Sequence, residues 1–236
     1  MCFVTYLPQN QGFILTSNRD EHAGRPKALP PKKYFIEGQP VFYPKDALAG
    51  GSWIASSGAF TICLLNGALV NHIPQPPYRQ SRGLVVLDFF KTGDVNRFIL
   101  DYQFAGIEPF TLIVVEQKQQ PSLHQIRWDG QQLHPQHLDA RQAFAWSSVT
   151  LYSPATVQER ERWFETWQAA HLDFTGNQVI DFHLSGGNGD PRNDLIINRN
   201  NELITVSVTQ IERSTQHFLL HYHDRLNGQS YHYRIL

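Results

Sequence analysis

Cys2-Phe3-Val4-Thr5-Tyr6-Leu7, Pro8-Gln9-Asn10-Gln11-Gly12, Phe13-Ile14-Leu15-Thr16-Ser17 and Asn18-Arg19-Asp20-Glu21 follow one another without interruption. The first and third segments are rich in aromatic and β-branched residues, and the second is turn chemistry. Together they predict a β-hairpin. A tight hairpin sets the end of its second strand beside the start of its first, which brings Arg19 near Cys2.

Cys2 follows Met1 directly. Removal of Met1 is expected before a small residue, and it would give one residue both a thiol and a free α-amine. An α-amine titrates near pH 8, so a useful fraction is neutral at pH 7 and can act as a base. The thiol needs help to ionise, because an ordinary cysteine is only a few per cent thiolate at that pH. A guanidinium at Arg19 would supply that help by stabilising the thiolate. Asp20 could hold or orient the amine through a charge-assisted hydrogen bond. In a strand, however, the adjacent Arg19 and Asp20 point to opposite faces. The plainer reading stands beside this one: Cys2 as a small buried hydrophobe and Asn18 to Glu21 as a charged turn.

Beyond the hairpin, Arg25 to Pro44 carries five prolines and reads as a surface loop with short extended pieces. Ser52 to Ala55 and Phe60 to Leu65 predict a second hairpin across Ser56-Ser57-Gly58. Its second strand runs into Asn66-Gly67, where a side-chain amide beside a backbone N–H can form an oxyanion hole or, equally, a turn. Asn71 to Tyr78 is a loop. Arg82 to Lys91 and Val95 to Tyr102 read as helices, the first ended by Gly93 and the second capped by Asp94. Phe110 to Glu116 reads as a buried strand. Leu123 to Trp128 and Gln132 to His134 form a hairpin across Asp129-Gly130. Ser153 and Pro154 open a long helix with a predicted inner stripe at Val157, Glu161, Phe164, Trp167 and Ala170. After a loop at Ser185 to Asp190 the chain returns to strands at Leu195 to Asn198, Leu203 to Val208, His217 to His223 and Ser230 to Ile235. Helices alternating with antiparallel strands in this order predict an α+β layered fold, and the length favours one domain over residues 1–236.

The composition narrows the function. Among 236 residues, 20 Lys+Arg face 21 Asp+Glu, so no basic excess recruits nucleic acid or an anionic membrane. The two cysteines, Cys2 and Cys63, are too few for a disulfide framework or a cysteine-rich zinc site. Cys63 sits in an apolar strand and reads as core. The N-terminal apolar run stops at Pro8, short of a signal peptide, and no run approaches the roughly 20 residues of a membrane span. A cytoplasmic protein acting on a small molecule is expected, with no metal and no resident cofactor. The oligomeric state is left open.

The sequence resembles the NRDE family, also called the transport and Golgi organisation protein 2 family. Met1-Cys2, Leu15-Thr16-Ser17-Asn18-Arg19-Asp20-Glu21 and Arg25-Pro26 carry the resemblance. Gly50-Gly51-Ser52-Trp53, Leu65-Asn66, Ser81-Arg82-Gly83-Leu84-Val85, Pro109-Phe110-Thr111-Leu112-Ile113 and Glu159-Arg160-Glu161-Arg162-Trp163 follow in the same order. The resemblance implies a four-layer αββα sandwich of the N-terminal-nucleophile hydrolase type, similar to cysteine amidohydrolases that cut penicillin V and conjugated bile acids. Carried over, it implies Cys2 as nucleophile, Arg19 and Asp20 as the groups that set its charge and orient its amine, and Asn66 as an oxyanion donor. The expected reaction is cleavage of a carbon–nitrogen bond in a small, non-peptide amide.

The resemblance also implies a rival. Members of the family are implicated in mobilising haem, so a non-catalytic binding or trafficking role for haem or another hydrophobic ligand fits the same scaffold. His221, His223 and His232 are candidate ligands by residue type, but they lack a carboxylate or cysteine partner at a familiar spacing and read as exposed strand residues. Gly186-Gly187-Asn188-Gly189 lacks the Lys-Ser/Thr ending of a phosphate loop.

Overall fold

The fold was taken from a computed structural model that describes residues 3–235. Met1 and Cys2 lie outside the described residues. The chain divides into two compact units, residues 3–25 with 141–234 and residues 26–140.

The opening hairpin is present. β1 (Phe3–Gln9) and β2 (Gly12–His22) pair antiparallel from Phe3↔Asn18 to Gln9↔Gly12. Pro8 is tolerated because β1's other neighbour reaches only residues 3–6, which leaves no ladder bond for Pro8 to break on that side.

The second unit opens with a correction. The proline-rich stretch read as a loop is a hairpin of β3 (Leu29–Ile36) and β4 (Gln39–Lys45). Pro30 and Pro31 fall where the register shifts between Leu29 and Lys32, and β3 is an edge strand, the position that accepts proline. Glu37 and Gly38, both at positive φ, make the two-residue turn, and Tyr34 stacks on Tyr43 with centroids 4.2 Å apart.

β5 (Ile54–Ser56) and β6 (Phe60–Asn66) form the expected second hairpin. Helices α1 (Arg82–Thr92) and α2 (Val95–Asp101) follow, with Ser81 capping the first, left-handed Gly93 ending it and Asp94 capping the second. β7 (Phe110–Glu116), β8 (Ser122–Trp128) and β9 (Leu133–Leu138) complete a seven-stranded sheet in the order β3-β4-β5-β6-β7-β8-β9. Its core joins Ile62, Leu64, Leu112, Val114 and Ile126 of the strands to Val85, Phe89 and Phe98 of the helices. The segments around Gly51 and Gly83 meet here. Ser52 N–H donates to the Gly83 carbonyl over 3.0 Å, and a Cβ on Gly51 would lie 2.3 Å from the Gly83 carbonyl carbon. Only glycine lets the two backbones approach so closely.

The chain then returns to the first unit through β10 (Phe144–Ser147), a strand that local sequence did not announce and that pairing with β1 creates. α3 (Pro154–Ala170) is capped by Ser153 with Pro154 in its first turn, as predicted. Its inner face differs from the predicted stripe: Arg160 and Phe164 are buried, Trp167 is half-buried and Ala170 is exposed. α4 (Gly176–Ser185) is a second missed element, although Thr175 and Gln178 form a capping box readable from their spacing. The strand expected at Leu195 to Asn198 shrinks to β11 (Asn198–Arg199), with Leu195 in the core. β12 (Leu203–Arg213), β13 (Phe218–Asp224) and β14 (Gln229–Arg234) finish a sheet ordered β10-β1-β2-β12-β13-β14, with β11 paired to β12. Phe3, Leu7 and Ile14 pack on Phe164, Val179, Phe182 and Leu195, so α3 and α4 cover one face of this sheet. Both units are thus α+β, each with a wholly antiparallel seven-stranded sheet.

Candidate active site

Phe3 pairs with Asn18. Arg19 follows Asn18 along β2. Cys2 itself, the predicted nucleophile, lies outside the described residues.

Alternation along β2 sorts the Asn18-Arg19-Asp20-Glu21 segment into two faces. Asn18 and Asp20 face the helices, while Arg19 and Glu21 take the opposite face. Arg19 is 5 % exposed, and its Nη2 lies 3.3 Å from Glu21 Oε2, an oxygen that also lies 3.5 Å from Arg25 Nε. Across the sheet Arg19 pairs with Ser207 of β12, which pairs with Asp224 of β13. Tyr222 shares this face, and burial pushes its hydroxyl up to about 12. The predicted opposition of Arg19 and Asp20 is thus present.

Asp20 is held from the helix side. The Tyr152 hydroxyl donates to Asp20 Oδ2 over 2.6 Å, and the Thr205 hydroxyl donates to Oδ1 over 2.5 Å. The Tyr152 ring in turn lies against the Arg160 guanidinium, whose carbon is 3.7 Å from the ring centroid. Arg160 is fully buried and donates through Nε to the Asn193 carbonyl at 3.0 Å and through Nη2 to the Asp194 carbonyl at 2.5 Å. A buried guanidinium is tolerable only when its donors are met and its charge is balanced nearby. Here carbonyls meet the donors, and an aromatic face links the cation to a carboxylate.

Asn18 and His183 form the adjoining network. Asn18 Nδ2 donates to the carbonyls of His183 at 3.1 Å and Leu195 at 2.6 Å. Its Oδ1 must therefore be the acceptor in the 2.6 Å contact with His183 Nδ1, which fixes the proton on Nδ1. Nε2 is then unprotonated and accepts from the Thr5 hydroxyl at 2.7 Å. Burial, with the Arg160 charge behind it, pushes the imidazole down to about 3, so it is neutral. Asn18 thus ties β2 to α4, and the first residue of the NRDE segment has a structural task.

Asn66 is the last residue of β6 in the second unit and pairs with Phe110. Gly67 follows at φ +82°, as its turn requires. The Gly67 N–H, the neighbouring backbone donor that the sequence suggested for an oxyanion hole, donates instead to the Pro109 carbonyl at 3.0 Å. Thr111 holds the Gly67 carbonyl from its hydroxyl at 2.9 Å. The turn is therefore fixed from both sides, and a backbone donor for an oxyanion must come from elsewhere.

A family model described as Transport and Golgi organisation 2 matches residues 1–226. The chain belongs to that family. The match runs through both units and includes every motif that carried the resemblance. No curated protein matches the chain. Among solved structures, two variants of conjugated bile acid hydrolase from Clostridium perfringens are similar, each at a TM-score of 0.60 and 8 % identity. The alignments cover 99 % and 100 % of this chain and 92 % of each hydrolase chain. At that identity the likeness shows the fold alone: an N-terminal-nucleophile-hydrolase-like α+β architecture. One of the two carries alanine in place of cysteine at its second residue.

Sequence reasoning missed Tyr152, Arg160 and His183 as members of this buried network. Arg160 was visible only as part of a charged helical run, where the pattern marks it as solvated. His183 sits in a helix that the reading did not include. No helix of the described residues is long and apolar enough to cross a membrane. Among the described residues, no group of three or more His, Cys, Asp or Glu is arranged to hold a metal ion.

Proposed function

We propose that the protein is an N-terminal-cysteine amidohydrolase acting on a carbon–nitrogen bond of a small, non-peptide amide. The observation that carries this reading is the β1–β2 register, Phe3↔Asn18, with Arg19 next along a buried strand face. Once Met1 is removed, the Cys2 thiolate, stabilised by Arg19, attacks the amide carbonyl carbon. Asn66 donates to the oxyanion. The C–N bond breaks as the leaving amine takes a proton from the α-ammonium. Water, activated by the neutral α-amine, then hydrolyses the thioester, releasing the acid and restoring the thiol.

Asp20 orients the amine in this scheme. An amine on the main chain and a thiol on the side chain can have partners on different faces of a strand. The αββα four-layer stacking belongs to the same proposal, as does one functional domain spanning residues 1–236. A cytoplasmic setting and the use of no resident cofactor complete it.

Intact-mass measurement on the purified protein tests the first requirement, since retained Met1 leaves no free terminal amine on Cys2 and sinks the catalytic reading. Alkylation by iodoacetamide at pH 7 tests the second. Cys2 should react at least about ten-fold faster than a model thiol, and Arg19→Ala should remove most of that advantage.

The family description speaks of transport, which favours a second reading, a trafficking role; under it the protein is non-catalytic and binds haem or another hydrophobic ligand, as the sequence resemblance implies. A haem titration separates the two: a Soret shift at micromolar protein, with slow Cys2 alkylation, would support the binding role.

A further inference from the structure

Each sheet ends in an edge hairpin that carries two directly opposed histidines, His124↔His137 on β8–β9 and His221↔His232 on β13–β14. The pairs differ in where their nitrogens point. In the second pair the two Nδ1 atoms face each other at 2.6 Å and share a proton. In the first pair the rings are tilted by 56° with centroids 5.0 Å apart, and both Nε2 atoms converge on one oxygen. Ser122 Oγ lies 3.0 Å from His124 Nε2 and 3.0 Å from His137 Nε2.

A hydroxyl has one proton, so it can donate to only one of these nitrogens and must accept from the other. The hydroxyl therefore occupies the point at which two imidazole lone pairs would otherwise meet. Two neutral imidazoles aimed at a common point form a bidentate nitrogen donor set, the ligand type favoured by zinc and copper(II). A carboxylate and an ammonium both lie near the pair. Glu116 is paired with Ser122 across β7–β8, which places its side chain on the same face, and its charge acts on His124. Lys118, whose Nζ lies 2.9 Å from Glu116 Oε2, is the opposing charge.

We propose that His124 and His137, with Ser122 beside them, form a surface site for a divalent late transition metal ion of the zinc–copper(II) class. The protein supplies two nitrogens, and water fills the remaining positions. Binding requires the Ser122 hydroxyl to turn out of the point it now occupies and one proton to move from Nε2 to Nδ1, so that both Nε2 atoms are free. The ion would cross-link the edge strand β9 to β8. This site is independent of the Cys2 chemistry.

The test is calorimetric titration of zinc chloride into the full chain after chelator treatment, with magnesium chloride as the hard-cation control. Wild type should bind one zinc ion with a micromolar dissociation constant and should not bind magnesium. His137→Ala should weaken that site at least ten-fold, while His232→Ala should leave it unchanged. The melting temperature should rise with zinc in wild type and in His232→Ala, but not in His137→Ala. Both substitutions are at exposed positions, so both variants fold. The proposal is overturned if zinc does not bind at micromolar concentration, if His232→Ala abolishes the site instead, or if neither variant changes it.

Discussion

The Tyr152 hydroxyl donates to Asp20 Oδ2 over 2.6 Å, so the turn before α3 is bonded to the strand that carries Arg19. Removing that hydroxyl leaves a buried carboxylate with one fewer donor, and hydrogen bonds to charged groups are worth more than neutral ones. Tyr152→Phe is expected to cost about 1.5–3 kcal/mol in urea unfolding. It should also slow Cys2 alkylation at pH 7 if Asp20 acts as proposed. A stability loss without a change in alkylation would confine Tyr152 and Asp20 to a structural role.

Arg160 tests whether its buried charge is a necessity or a liability. Methionine at this position keeps much of the volume but leaves the Asn193 and Asp194 carbonyls without the donors they now have. Arg160→Met should destabilise by on the order of 3 kcal/mol. Arg160→Lys should recover only part of this, because an ammonium cannot lie flat on the Tyr152 ring while reaching both carbonyls. A stability for Arg160→Met equal to wild type would show that the charge is dispensable.

His183 gives the pH dependence. Its folded value is about 3, against about 6.5 in the unfolded chain, so between those limits the unfolded state binds the extra proton. Stability from this group is fully present above pH 6.5 and falls as the pH drops toward 3, by up to a few kcal/mol. Urea midpoints at pH 7, 5.5 and 4 should therefore decline in wild type. His183→Gln, which cannot charge, should be less stable at pH 7 and lose less on acidification. Parallel pH profiles for the two proteins would show that His183 is not the titrating group.

Three glycines allow a steric prediction without any functional assumption. Gly51→Ala puts a Cβ 2.3 Å from a backbone carbon of Gly83, and neither segment can yield easily. A cost of about 3 kcal/mol or more is expected. Gly83→Ala meets Ser52 O at 3.1 Å but gains helix propensity in α1, so the two effects nearly cancel. Gly24→Ala meets nothing within 4 Å and should be neutral. Thermal melts of the three variants rank these expectations, and a tolerant Gly51 would contradict the close approach.

The sequence by itself determined the elements whose signals are local. Ser153-Pro154, Asp94 and Gly93 each declare a cap or a stop within a few residues, and each lies where it was read; the Phe13 to Ser17 strand is present but runs on through Asn18 to His22, where pairing with β12 extends it. The opposition of Arg19 and Asp20 was equally legible, since alternation along a strand needs no partner to be known. Tertiary structure decided what depends on distant segments. β10 exists because β1 pairs with it, and the prolines of β3 are strand residues because β3 has no neighbour on its outer side. Arg160 is buried although its helical run looks solvated, because an aromatic ring and two carbonyls from elsewhere receive it. His183 is neutral because the fold buries it with the Arg160 charge behind it, while Asn18 and Thr5, more than 160 residues away in sequence, fix its tautomer. Local propensity writes the elements, while the state of a buried charge is set by whichever distant groups the fold brings to it.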